Sequence, residues 1–275
     1  MRRMQAGSYI IVLLLALFAV ISFFPLYMTA VNSFKTEEEM FRSILSSPSV
    51  LHFDNYASAY EKTQMLGSLM NTVILSVLGI GGILLFASLA GYKLSRTPGK
   101  LSGFIFFLFI SSMLVPFHSI MIPLVKTAKA LSLQGNIYGL AVMYVGLGVN
   151  MAIFLYHGFV KSIPRELEES AYMDGRGQLR TFITIILPLL LPITVTIGIL
   201  DFLWIWNDFL LPLLMLSDVN NYTLILSTNK LFGEYTKEWS LILAALVLTA
   251  IPVIIIYAVF QKFIVSGIAE GAVKG

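Results

Sequence analysis

Ser162-Ile163-Pro164-Arg165-Glu166-Leu167-Glu168-Glu169-Ser170-Ala171-Tyr172-Met173-Asp174-Gly175 is a charged island in a chain that is otherwise oily. Before it, residues 130–160 carry no charge, and after it residues 181–200 carry none. Each flank is long enough to cross a bilayer core, which takes about 20 apolar residues in a helix. The island therefore stands in water between two membrane spans. Pro164 suits a first helical turn, where its missing N–H costs nothing. Glu166, Glu168 and Glu169 then sit near the positive end of the helix dipole. Gly175 can take the left-handed conformation that stops a helix. The spacing predicts a short helix over 164–174, with Leu167, Ala171 and Asp174 on one face. So short a helix has little stability of its own. Something packs against it, and from the local chemistry that is a partner, the bilayer surface or the chain's own loops.

Outward from the island, charges punctuate the rest of the chain into uncharged runs at 4–34, 63–92, 101–125 and 239–261. With the two flanks these make six. The run from 181 continues apolar past Asp201 and Asp208 to residue 217. Strands are excluded, because barrel strands alternate in polarity over about ten residues. Composition agrees: 57% of the 275 residues are hydrophobic and 12% charged, with a mean hydropathy of +0.85. A soluble fold of this size could not hide so much apolar surface. The expected fold class is an all-α integral membrane protein with six transmembrane helices in a single domain, 1–275. The helices are placed at 8–31, 66–90, 102–124, 136–160, 184–212 and 239–263, with a loop at 161–183. The apolar stretch 9–31 exceeds a signal-peptide core and Met28-Thr29-Ala30 is a poor cleavage site, so the first helix is expected to stay.

The net charge is +3, with no basic block to track phosphates, which argues against a nucleic-acid partner. The absence of cysteine removes disulfides, thiolate metal sites and Cys nucleophiles together. With the N-terminus in the cytoplasm, eleven of the 18 Lys and Arg fall on inner segments and seven on outer ones. The positive-inside rule then puts both termini and the 161–183 loop in the cytoplasm.

Glu169-Ser170-Ala171, three residues, Gly175, nine residues and Ile185-Ile186-Leu187-Pro188 resemble the "EAA" loop of permease subunits of ATP-binding-cassette importers. Ser170 stands where the motif usually has its central Ala. The likeness spans nearly the whole chain and is closest to carbohydrate-importer permeases, the shorter maltose-type subunit in particular. It is carried also by Asn71-Thr72, Ala90-Gly91-Tyr92, Met121-Ile122-Pro123-Leu124, Trp206-Asn207-Asp208-Phe209, Asn221-Tyr222-Thr223, Val265-Ser266-Gly267 and Gly271-Ala272-Val273-Lys274-Gly275.

The resemblance implies a type I importer permease fold in a bacterial or archaeal cytoplasmic membrane, with a coupling helix between spans 4 and 5. Glu168, Glu169, Ser170, Ala171, Asp174 and Gly175 would then meet an ATPase subunit by helix-in-groove docking. Ala171 would be small because the partner's surface comes close. The implied partners are a homologous second permease, two ATPase subunits, an extracytoplasmic sugar-binding protein and the lipid bilayer. ATP and Mg would bind the ATPase. This chain has no G-x-x-x-x-G-K-[ST] loop, and no catalytic residue or cofactor of its own is expected.

Asp201, Trp204 and Asp208 share a face at i, i+3, i+7, and Asn207 adjoins it. A carboxylate at mid-membrane costs on the order of 2.5–3.5 kcal/mol, so lipid exposure is excluded for Asp201. Two readings stand. The carboxylates accept sugar hydroxyls and the indole stacks on sugar C–H groups, or both acids bond to neighbouring helices and fix the assembly. For Asp208 the structural reading is the stronger. His52, His118 and His157 lack the spacing of a metal site. Gly79-Ile80-Gly81-Gly82 reads as close helix packing rather than a phosphate loop. The alternatives are a secondary transporter or channel not driven by ATP, whose usual internal repeats are not evident, and an intramembrane enzyme, whose motifs are missing.

Overall fold

The computed structural model describes residues 6–233 and 238–272, with side-chain surroundings for 10–233 and 238–258. Arg2, Arg3, Glu234, Lys237 and Lys274, and the family-like ending from Val273 on, lie outside the described residues. Every element among the described residues is a helix. The chain divides into two compact units, residues 1–66 with 227–256 and residues 67–226 with 257–275.

The first unit opens on α1 (Ala6–Asn32), apolar on all sides, with none of its most apolar 18-residue stretch buried. A capping box then starts α2 (Glu37–Arg42): Thr36 accepts from the Glu39 N–H and Glu39 accepts from the Thr36 N–H. α3 (Asp54–Lys62) follows. Lys35 is fully buried, and its ammonium donates to Asn32 Oδ1 and to the Ser43 and Ile44 carbonyls at 2.9, 3.0 and 3.2 Å. Ala59, Leu231, Ile242, Ala244 and Ala245 make this unit's apolar core.

The second unit carries the site elements. α4 (Met65–Arg96) runs six residues past its expected end at 90, so Tyr92 and Arg96 are helical. The expected helix 102–124 is two, α5 (Lys100–Ser112) and α6 (Phe117–Ala130), which meet at 105°. Pro116 has no N–H to give and pushes Val115 out of helical geometry, so the chain turns there. α7 (Ile137–Lys161) starts where the Asn136 side chain accepts from the Gly139 N–H at 2.8 Å. It packs against α5 and against the helices Leu191–Asn207 and Leu210–Met215, and half of its span is buried.

After α8 (Glu166–Met173), the expected helix 184–212 is also broken. α9 (Gln178–Leu189) meets α10 (Leu191–Asn207) at 73°. Pro188 offers no N–H to the Thr184 carbonyl, and the turn at Phe182–Ile186 widens to a π-helix. α11 (Leu210–Met215) follows, and α12 (Trp239–Ala272) is the last helix. By length and composition four helices can cross a membrane, and up to six spans result if each bent pair counts as one.

Glycine sets the helix spacing. A Cβ on Gly82 would lie 2.5 Å from Val145, one on Gly91 2.7 Å from Tyr156, and one on Gly79 3.1 Å from Ile205, so α4 closes tightly on α7 and α10. Gly81 meets nothing. Two motifs far apart in sequence also meet. Asn71 Nδ2 donates to the Asn220 and Tyr222 carbonyls at 2.8 and 3.1 Å, and Thr72 Oγ1 accepts from the Leu224 N–H at 2.7 Å.

Candidate functional site

The charged island forms α8, two residues shorter at its start than the spacing predicts and one shorter at its end. Its first turn holds Glu166, Glu168 and Glu169. It stops in a Schellman motif: the Arg176 N–H reaches the Ala171 carbonyl and the Gly175 N–H the Tyr172 carbonyl, both at 3.0 Å. Gly175 has φ +75°, the left-handed conformation expected of it.

Of the six residues assigned to a docking surface, Glu169, Ser170, Asp174 and Gly175 are exposed. Glu168 and Ala171 are not, at 6% and 3%. They turn into the chain's own fold, three apart on the buried face, so Ala171 is small because this chain packs over it. The face of Leu167, Ala171 and Asp174 drawn from spacing is therefore not the buried one; only its middle member is covered. Glu168 meets α4. Its Oε1 accepts from Arg96 Nε at 2.6 Å and its Oε2 from the Tyr92 hydroxyl at 2.7 Å.

Sequence reasoning missed three residues. Tyr92 was legible only as the last residue of a family-like tripeptide, and Arg96 only as a basic residue just past an apolar run. Met173 is 89% exposed, and with Leu167 and Tyr172 it gives α8 an apolar outer surface. The available signal was a methionine inside a charged aqueous segment, where burial in the bilayer is not on offer.

A second site surrounds the break after α10. Asp208 has left the helix, with ψ 132°, and its Oδ1 accepts from the Leu210 N–H at 2.9 Å. Its Oδ2 accepts from the Tyr144 hydroxyl at 2.7 Å. Trp204 stands edge-on to Tyr144, ring centroids 5.2 Å apart. A cavity of about 320 Å³ lies here, walled by Trp204 and Asp208, by Asn150 and Met151 of α7, and by Ser112 and Phe117 at the α5–α6 break. No cationic side chain lines it.

The four residues proposed for a pathway thus separate. Trp204 and Asp208 line the cavity. Asp201 is buried with Ile197 and Ile205, one turn either side, and its Oδ2 has no hydrogen-bond partner. Asn207 is exposed, and its amide donates to the Leu203 carbonyl at 2.7 Å. The shared i, i+3, i+7 face fails inside the helix, where Asp201 is buried and Trp204 is exposed. Trp204 and Asp208 meet at the cavity although the helix ends at Asn207. His157 stacks on Phe106 with centroids 3.7 Å apart, and among the described residues no group of three His, Asp or Glu is placed to hold a metal ion.

A family model described as "Binding-protein-dependent transport system inner membrane component" matches residues 83–270. Over its whole length the chain is 40% identical to the whole of a probable starch degradation products transport system permease protein, AmyC, of Thermoanaerobacterium thermosulfurigenes. It is 34% identical over 97% of its length to 96% of the melibiose/raffinose/stachyose import permease protein MelC of Bacillus subtilis. The multiple sugar-binding transport system permease protein MsmG of Streptococcus mutans is 33% identical, with 95% of each chain covered. Among solved structures, a chain of a bacterial ABC transporter involved in the import of the acidic polysaccharide alginate superposes with a TM-score of 0.82. That match covers 95% of this chain and 99% of the other at 22% identity, a shared fold.

Proposed function

Because this chain belongs to the family of binding-protein-dependent transport system inner membrane components, we propose that it is a permease subunit of an ATP-driven importer of neutral oligosaccharides. With a homologous second permease it forms the pathway through the membrane. Two ATPase subunits bind ATP and Mg and dock on α8, and an extracytoplasmic binding protein delivers the sugar. This chain contributes no catalytic group. Each bent pair counts as one of six spans, and both termini and α8 face the cytoplasm, as the distribution of Lys and Arg supports.

The observation that carries this reading is α8: an eight-residue helix in water, locked by its inner face to α4, with an apolar Met173 and Leu167 turned outward. Exposed apolar side chains on a helix beside charged ones suit a groove on a partner. A secondary transporter or channel has no use for such a surface.

The sugar class rests on two supports. The relatives are named for starch degradation products, for melibiose, raffinose and stachyose, and for arabinooligosaccharides. The cavity offers an indole, an amide, a hydroxyl and one carboxylate, which suit the hydroxyls and C–H faces of an uncharged sugar. An acidic polysaccharide would call for a cation there. The test is reconstitution of the two permeases with the ATPase in membranes, with ATP hydrolysis measured as each sugar-loaded binding protein is added. Hydrolysis stimulated by neutral oligosaccharides is expected; indifference to every sugar and binding protein would reject the proposal.

A further inference from the structure

The ion pair between Arg96 and Glu168 lies where the sequence suggested only a docking surface, and both side chains are more than nine-tenths buried, at 8% and 7%. Around it, residues of α4 hold the island at several points. Arg96 Nη2 donates to the Ile163 carbonyl at 2.8 Å, ahead of α8. Glu168 takes both the Arg96 guanidinium and the Tyr92 hydroxyl, and the Tyr172 hydroxyl adjoins Tyr92. Past α8, the ring of buried Phe182 lies 5.1 Å from that of Tyr92. Four points of the segment from 163 to 182 thus rest on two side chains of α4.

We infer that Tyr92, Arg96 and Glu168 are positioning residues that fasten the docking helix to α4, so that a displacement of α8 is delivered to α4 as well as to its chain neighbours. α8 has turns on both sides, at 162–165 and 174–177, and by itself would pivot on them. The tie removes that freedom. It joins α8 to a helix 72 residues away in sequence, one that is itself closed against α7 and α10 by Gly82, Gly91 and Gly79. Trp204 of α10 lines the cavity, and Tyr144 of α7 packs edge-on against it. A path of packed side chains and hydrogen bonds therefore joins α8 to the cavity wall, with Glu168 as its first link. Truncating one partner leaves the other charge buried and uncompensated, so the link is sensitive to either end.

This inference rests on the proposed ATP-driven function, and the experiment separates the two. In the reconstituted complex, sugar moved per ATP hydrolysed is compared for the parent, Glu168→Gln, Arg96→Ala and Arg96→Lys. The variants are expected to keep the ATPase bound and hydrolysing while sugar per ATP falls about fivefold or more. Arg96→Lys, which keeps the charge, is expected to recover part of the loss. Parental sugar per ATP in Glu168→Gln and Arg96→Ala overturns the inference.

If those variants do not assemble, spin labels on cysteines at 93 and 166 report on the intact tie, since the chain has no native cysteine. The distance between the labels is expected to be the same in nucleotide-free and ATP-trapped complexes, and a distance that changes with nucleotide overturns the inference. A parental complex whose hydrolysis ignores sugar rejects the proposed function instead.

Discussion

The Tyr144 hydroxyl donates to Asp208 Oδ2 at 2.7 Å, while the other oxygen of that carboxylate accepts from the Leu210 N–H at 2.9 Å. Asp208 thus ends one helix, starts the next and pins the join to α7. Tyr144→Phe removes a bond to a charged group and leaves a half-buried carboxylate oxygen without it. A loss of about 1–3 kcal/mol is expected. The check is thermal denaturation of the purified permease, with Asp208→Ala, which loses both bonds, melting lower still.

Trp204 offers the cavity a large flat ring with more than a third of its surface open. Trp204→Ala is expected to lower sugar uptake about two- to tenfold, the range of one lost aromatic contact of about 0.5–1.5 kcal/mol. Trp204→Phe should keep most of the uptake. Asn207→Ala serves as the comparison, because Asn207 does not line the cavity, and it is expected to transport at the parental rate.

The ending of α8 can be tested apart from its surface. Gly175→Val meets no neighbouring atom but must hold φ +75°, a strain of roughly 1–2 kcal/mol. It should loosen the last turn and weaken retention of the ATPase in pull-down. Met173→Glu leaves the backbone alone and should weaken retention through the lost apolar contact. Ala171→Trp is a different case, because Ala171 is already covered by this chain. It is expected to destabilise the permease itself by about 1–3 kcal/mol through overpacking.

Asp201 is a buried acid with an oxygen that bonds to nothing in the chain. Asp201→Leu removes a carboxyl whose insertion costs about 2.5–3.5 kcal/mol at mid-membrane. A higher melting temperature of the permease is the expected result. A lower one, or loss of the second permease during purification, would show that the acid holds a donor supplied by that subunit.

Orientation is open to impermeant thiol reagents, since single cysteines can be placed without background. Positions 93, 169 and 175 should label only from the cytoplasmic side, and positions 38, 129 and 221 only from outside. Outside labelling at 169 in sealed, correctly oriented cells overturns both the orientation and the docking assignment.

What the sequence made legible is what charge and backbone chemistry control. Uncharged runs located the apolar helices, and Gly175 marked the end of α8 because few other residues adopt its conformation. Gly79 and Gly82 were readable as close packing because they carry no side chain. The direction in which side chains point was not legible in the spans. Lipid and protein interior are both apolar, so α10 carries no stripe to say that Asp201 faces its neighbours while Trp204 faces a cavity. Pro116 marked where the run 101–125 would kink or end, but not that the turn would reach 105°. Proline inside an apolar run permits a kink, a break or an ordinary bend, and tertiary packing chooses. Glu168 was assigned to the docking surface through the family resemblance, while its partner Arg96 lay 72 residues away.

Gly148 lies on α7 behind the wall of the cavity, where a Cβ would sit 2.4 Å from Ile83 Cδ1 and 3.2 Å from the Trp204 ring. One added methyl there displaces Ile83 and presses the indole by a few tenths of an ångström, although position 148 itself does not line the cavity. Solute range among related permeases can therefore drift through a residue that no solute touches. A mutational screen for new cargo that saturates only wall positions would pass over it, and the glycine would be recorded as merely structural.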